Sequence, residues 1–164
     1  MNVFLKKLID QGFMKEEQGQ YIEEAVNEKD CFIISGHKGW GILPLMASIS
    51  AVAKSKYKIK QVKSFEDLSD ETEYFLIADL SDIDYAKLVT EAILVPGTSF
   101  ISLKDPDHPY SILKILKDVY KSKGQITKTI QVLECAKIDD KNKLVKITET
   151  VMQDDGKLKK TDFK

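Results

Sequence analysis

The chain contains no arginine; all 25 of its basic residues are lysine. That absence excludes an arginine finger or a bidentate phosphate clamp of the chain's own, because both depend on a planar guanidinium fork that lysine lacks. A nucleoside triphosphatase built on this sequence would have to take its arginine from a partner. Cysteine is nearly absent as well. Cys31 and Cys135 lie in apolar runs without metal-ligand spacing and are expected as buried free thiols in a reducing compartment. No Ser/His/Asp or Cys/His arrangement indicates a nucleophile. No apolar run approaches the roughly 18–20 residues that span a bilayer, and the N-terminus, with acidic and polar residues soon after Met1–Lys7, does not resemble a signal peptide. A cytoplasmic protein is the expectation. The net charge of -1 gives no general attraction to nucleic acid or an anionic membrane. Scattered lysines without clustered aromatics carry no nucleic-acid signature either.

What is present fits one globular α/β domain. Of 164 residues, 43% are hydrophobic and 31% charged, enough to bury a core. Residues 1–28 read as a helical lead-in of two short amphipathic helices, 2–10 and 15–28. Residues 29–152 read as the α/β body, and 153–164 as a polar, flexible tail. In the body, apolar strands are expected at Asp30–Ser35, Tyr57–Val62, Tyr74–Asp79 and Ser99–Leu103. Helices are expected over Ile42–Ser55, over Ile83–Leu94 capped by Ser81 or Asp82, and over 110–121. Two closing strands, Thr129–Ile138 and Leu144–Val151, flank a charged turn, Asp139–Lys143, as a hairpin. Strand–helix alternation followed by a hairpin indicates a mostly parallel sheet extended by antiparallel strands at one edge.

The most informative stretch is Cys31–Leu45: a buried strand, a glycine-rich turn (Gly36, His37, Lys38, Gly39, Trp40, Gly41) and the start of a helix. That is the layout of a P-loop, in which glycines let backbone N–H groups wrap a phosphate at a helix N-terminus. In the pattern Gly-x-x-x-x-Gly-Lys-[Ser/Thr], counted from Gly36 to Gly41, the lysine position holds Ile42 and the hydroxyl position holds Leu43. Lysine normally offsets β/γ-phosphate charge and the hydroxyl holds Mg²⁺. Two aliphatic side chains do neither.

From Leu8 to Val151 the order of segments resembles the ATPases of type II and type IV secretion and pilus assembly, in particular their RecA-like motor domain. Cys31–Gly41 lies where the family's Walker A strand and loop belong. Phe65-Glu66-Asp67 is similar to its acidic box, and Tyr74–Asp79 to its Walker B strand. Thr98–Lys104 is similar to the strand ending in its histidine box, and Ile130–Thr150 to its closing hairpin. The resemblance implies a RecA-like three-layer sandwich and a ring-forming relative. The departures fall on the functional positions: Ile42 and Leu43, Asp79 for the Walker B glutamate, Ser81 for the arginine after it, and Lys104 for the histidine. The expectation is a degenerate member acting as an assembly or regulatory module, with a protein partner or a second copy of itself. No cofactor and no metal are expected.

Two other readings stay open. In one, the chain is a divergent enzyme that hydrolyses ATP with Lys38 or Lys104 as surrogate cation and with Asp79 and Glu66, the nearest candidates for catalytic residues, beside Mg²⁺. In the other, backbone amides of Gly36–Gly41 bind a nucleotide or small anion without hydrolysis. Against these stand plainer roles: Lys38 and His37 as solvated loop residues, and Trp40 as a ring that plugs the pocket or packs on a neighbour. Asp82 is expected as a helix cap, and Asp105, Asp107 and His108 as ordinary turn chemistry.

Overall fold

The computed structural model describes residues 1–78, 80–107 and 109–163. Asp79 and His108, both singled out from the sequence, lie outside the described residues. Among the described residues the strands are β1 (Cys31–Ser35), β2 (Ile59–Gln61), β3 (Tyr74–Ile77), β4 (Ser99–Lys104), β5 (Ile130–Ile138), β6 (Lys141–Met152) and β7 (Leu158–Asp162). The helices are α1 (Val3–Asp10), α2 (Glu16–Asn27), α3 (Ile42–Lys54), α4 (Tyr85–Leu94) and α5 (Ile112–Lys123), with a single 3-10 turn at Phe65–Asp67.

The strands form one seven-stranded sheet in the order β2-β3-β4-β1-β5-β6-β7. The first five in that order are parallel, and β6 and β7 return antiparallel. The mostly parallel α/β sheet with a closing antiparallel hairpin therefore forms as the sequence indicates. Its central strand, β1, buries Phe32, Ile33 and Ile34 completely, as a parallel strand covered on both faces must. The helices divide between the faces because crossovers are right-handed. α3 carries the chain from β1 toward the β2 edge, whereas α4 and α5 carry it the other way, so the two sets lie on opposite faces. Phe32, Ile34, Leu103 and Leu133 pack with α1, α2 and α3. Ile33, Phe100 and Ile130 pack with α4 and α5. Among the described residues, no helix is long and apolar enough to cross a membrane.

Element ends differ from expectation where a cap or a turn decides them. α4 starts at Tyr85, not Ile83, because the Asp84 carboxylate accepts the Lys87 N–H at 3.1 Å, while Asp82 sits at φ 56°, outside helical geometry. α5 starts at Ile112 because Ser111 caps it, its Oγ accepting the Lys114 N–H. The hairpin turn is the two residues Asp139 and Asp140, at φ 50° and 64°, so β6 begins at Lys141 and not at Leu144. A bulge at Val145, where the register shifts opposite Glu134 and Cys135, keeps Leu144 and Ile147 on one buried face although they are three apart.

The expected flexible tail, 153–164, is corrected in part. Residues 158–162 are β7, paired with β6 from Thr148↔Asp162 to Met152↔Leu158. Its lysines hid it from a reading based on apolar alternation, yet charged side chains are what an exposed edge strand carries to resist further pairing. The lead-in is tied to the same extension. The Leu144 N–H donates to the Phe13 carbonyl at 2.8 Å, and the Lys143 ammonium to the Gly12 carbonyl at 2.6 Å. Residues 12 and 13 thus cover the part of the β6 edge that β7 does not reach.

Candidate functional site

β1 delivers the glycine loop, residues 36–41, to the middle of the sheet's C-terminal edge. Its neighbour β4 sends its chain to the opposite face, so the two strand ends open a crevice between them. Open α/β sheets hold ligands in such crevices. The cleft has a volume of about 360 Å³, and Gly36, His37, Trp40, Lys104 and Glu134 are among the residues around it.

The loop's backbone donors are partly committed elsewhere. The Gly36 N–H donates to the Lys104 carbonyl at 3.1 Å, extending the sheet, and the Trp40 N–H donates to His37 at 3.1 Å within the turn. Pro44, in the first turn of α3, has no N–H to offer. Gly41, at φ 95°, is the N-cap of α3 without any side-chain cap. A Cβ there would lie 2.5 Å from Phe13 Cε1, so the turn between α1 and α2 presses directly on the loop's last residue.

The two residues at the lysine and hydroxyl positions of the P-loop pattern are placed outside the cleft. Ile42 is 1% exposed and belongs to the core beneath α3, whereas Leu43 is 49% exposed on the surface. Neither side chain lines the cleft. Trp40 is half-buried and lines it, with its ring centroid 4.2 Å from that of the exposed His37. Lys38 and Gly39 are exposed. Cys135, also at the cleft, is pushed up to about 12 by burial, and Cys31 up to about 11, so both stay thiols at neutral pH.

Of the acids expected beside Mg²⁺, Asp79 lies outside the described residues, and Glu66 stands apart from the loop. Glu66 is exposed and lies in the 3-10 turn after β2, three strands from β1, a lateral distance of about 14 Å at sheet spacing. Asp67 caps its own turn, accepting the Lys63 and Ser64 N–H groups at 2.8 and 3.2 Å. Those bonds, with Lys60 nearby, hold its carboxyl below the usual carboxylate range. Asp82 is exposed and does not cap α4. Asp105 accepts the Asp107 N–H at 3.1 Å, as expected of a turn. Among the described residues, no group of three His, Cys, Asp or Glu side chains is placed to hold a metal ion.

Two features escaped the sequence. Ser35 pairs in register with both Lys104 and Glu134, and Glu134 with Lys146, so these four form a polar row across β4, β1, β5 and β6 on the α5 face. Alternation within β5 hints at an outward Glu134, but only the strand order shows its neighbours. At the other end of β1, Asp30 accepts the Gln131 amide N–H at 3.1 Å, and the Tyr21 hydroxyl donates to Gln131 Oε1 at 2.9 Å. Burial pushes the Asp30 carboxyl up to about 6.

The chain matches no protein-family model, and no curated protein matches it.

Proposed function

We propose that this chain is a catalytically degenerate P-loop domain of RecA-like type, related to the secretion and pilus-assembly ATPases, that works as an assembly or regulatory module in a cytoplasmic complex. The observation that carries the reading is Ile42, at the position where a phosphate-binding lysine would stand. It is buried in the core, and the residue before it is locked beneath Phe13. A loop sealed from behind in this way keeps its shape without a ligand. The residues around it do not fit Mg-ATP: no hydroxyl follows the last glycine, Pro44 removes a donor, and the acidic turn at Glu66 lies strands away.

A module of this kind acts through contacts with a protein, either an active homologue or a second copy. Val3 and Phe4 on α1, which packs against α3, and Leu43 on α3 are large apolar side chains left exposed, which supports such a surface. The divergent-enzyme reading keeps one supporting observation, the half-buried Lys104 beside the cleft. Phosphate release from ATP separates the two. The expected result is none above buffer, whereas steady turnover that disappears in Lys38→Ala or Lys104→Ala overturns the module reading.

A further inference from the structure

We infer that a second cleft, between the N-terminal end of α5 and the β6–β7 extension, binds a small phosphorylated molecule of the sugar-phosphate class. This site lies on the sheet face opposite α3; it shares Ser35, Lys104 and Glu134 with the first cleft, but none of the loop residues 36–41 lines it. Its volume is about 500 Å³. It forms because α5 covers β5 only in part, while β6 and β7 continue the sheet with polar residues on the same face: Lys146, Thr148 and Thr150 on β6, Lys160 and Asp162 on β7. From the Glu134↔Lys146 pair to the Ile130↔Thr150 pair the cleft runs four residues along β5, about 13 Å at strand rise. That length and volume suit a phosphate with a hydroxylated body of a few carbons.

The end near β4 is built for the anion. Ile112 and Leu113, the first two residues of the twelve-residue α5, line the cleft. Their N–H groups belong to the helix's unsatisfied first turn, where the dipole favours negative charge. The Lys104 ammonium lies beside this helix start, 5.8 Å from the Tyr110 ring centroid. Two further groups in the cleft ask for a ligand. Thr150 is 1% exposed and lines the cleft, yet its hydroxyl makes no hydrogen bond among the described residues. Glu134 is half-buried at the end of the cleft nearest Lys104, and its carboxylate makes no hydrogen bond or ion pair among the described residues. By contrast, Asp162 is engaged, accepting the Thr148 hydroxyl at 3.0 Å with the Lys146 ammonium 3.9 Å away. An acceptor-only carboxylate near the cationic helix end and an unpaired hydroxyl farther along the cleft match a molecule that places a phosphate at α5 and its own hydroxyls on Glu134 and Thr150.

The test is an amide NMR titration of the full chain with ribose 5-phosphate and, separately, inorganic phosphate. The site predicts saturable shifts at Ile112, Leu113, Thr148 and Thr150. Ribose 5-phosphate is expected to bind roughly tenfold tighter than phosphate, and Glu134→Ala and Thr150→Val each to weaken it by about tenfold or less while leaving phosphate no weaker. Lys104→Gln weakens both probes. Unchanged amide dispersion in each variant shows that the fold is kept. Non-saturating shifts, saturation that leaves Ile112 and Leu113 unmoved, or equal affinities in wild type and Lys104→Gln overturn the inference.

Discussion

At Gly41 two requirements meet on one residue: a left-handed backbone at φ 95° and the Phe13 ring where a Cβ would sit. Gly41→Ala is therefore expected to cost about 1–3 kcal/mol from backbone strain alone. Urea denaturation checks this, as a lowered midpoint at unchanged m-value. Asp30 carries a pH dependence whose sign follows from burial. Its carboxyl moves from the ordinary 3.8 up to about 6, chiefly through burial, with the Gln131 hydrogen bond opposing. The folded state thus holds this proton more tightly than the unfolded chain. Its contribution to stability is complete below about pH 4 and is lost as pH rises toward 6. Asp30→Asn removes that descent, so stability curves of wild type and variant at several pH values are expected to converge in acid and separate in favour of the variant by pH 7. Of these residues the sequence marked only Gly41. Its glycines and the missing lysine are visible in a linear pattern, whereas the pressure of Phe13 and the burial of Asp30 arise from contacts between distant segments.

Elements were legible where apolar runs are strong and obscure where polar side chains set the ends. β1, β3 and β4 announce themselves through Phe, Ile and Leu. The start of α4 depends on which of Ser81, Asp82 and Asp84 caps it, and three neighbouring cap formers look alike in sequence. β7 is mostly lysine, threonine and aspartate, and becomes a strand only because β6 offers it an edge. The hairpin is short for a comparable reason: Asp139 and Asp140 both accept positive φ, letting β5 and β6 pair up to the turn. Aspartate tolerates that region less well than glycine, and an asparagine–glycine pair suits a two-residue hairpin turn best. The double substitution Asp139→Asn with Asp140→Gly is therefore expected to stabilise the chain by about 1 kcal/mol. Thermal unfolding of the double variant checks it, as a raised midpoint with the same far-UV spectrum.

Across the whole molecule, a parallel sheet with β1 at its centre sets a glycine loop where an α/β protein would bind phosphate, and the lead-in helices fill the space behind it. The strand order also explains why the acidic turn and the loop, adjacent in a motif-based reading, end up strands apart, and why the polar row from Lys104 to Lys146 was invisible in one dimension. The central claim is that the loop is retained as structure and not as a nucleotide site. An amide NMR titration of the full chain with Mg-ATP tests this most directly, because Gly39 and Gly41 report on the loop separately from Ile112 and Leu113 at α5. The account predicts that the Gly39 and Gly41 amides stay in place up to millimolar Mg-ATP, whatever happens at α5. Saturable shifts at Gly39 and Gly41 would contradict it and return the loop to phosphate binding.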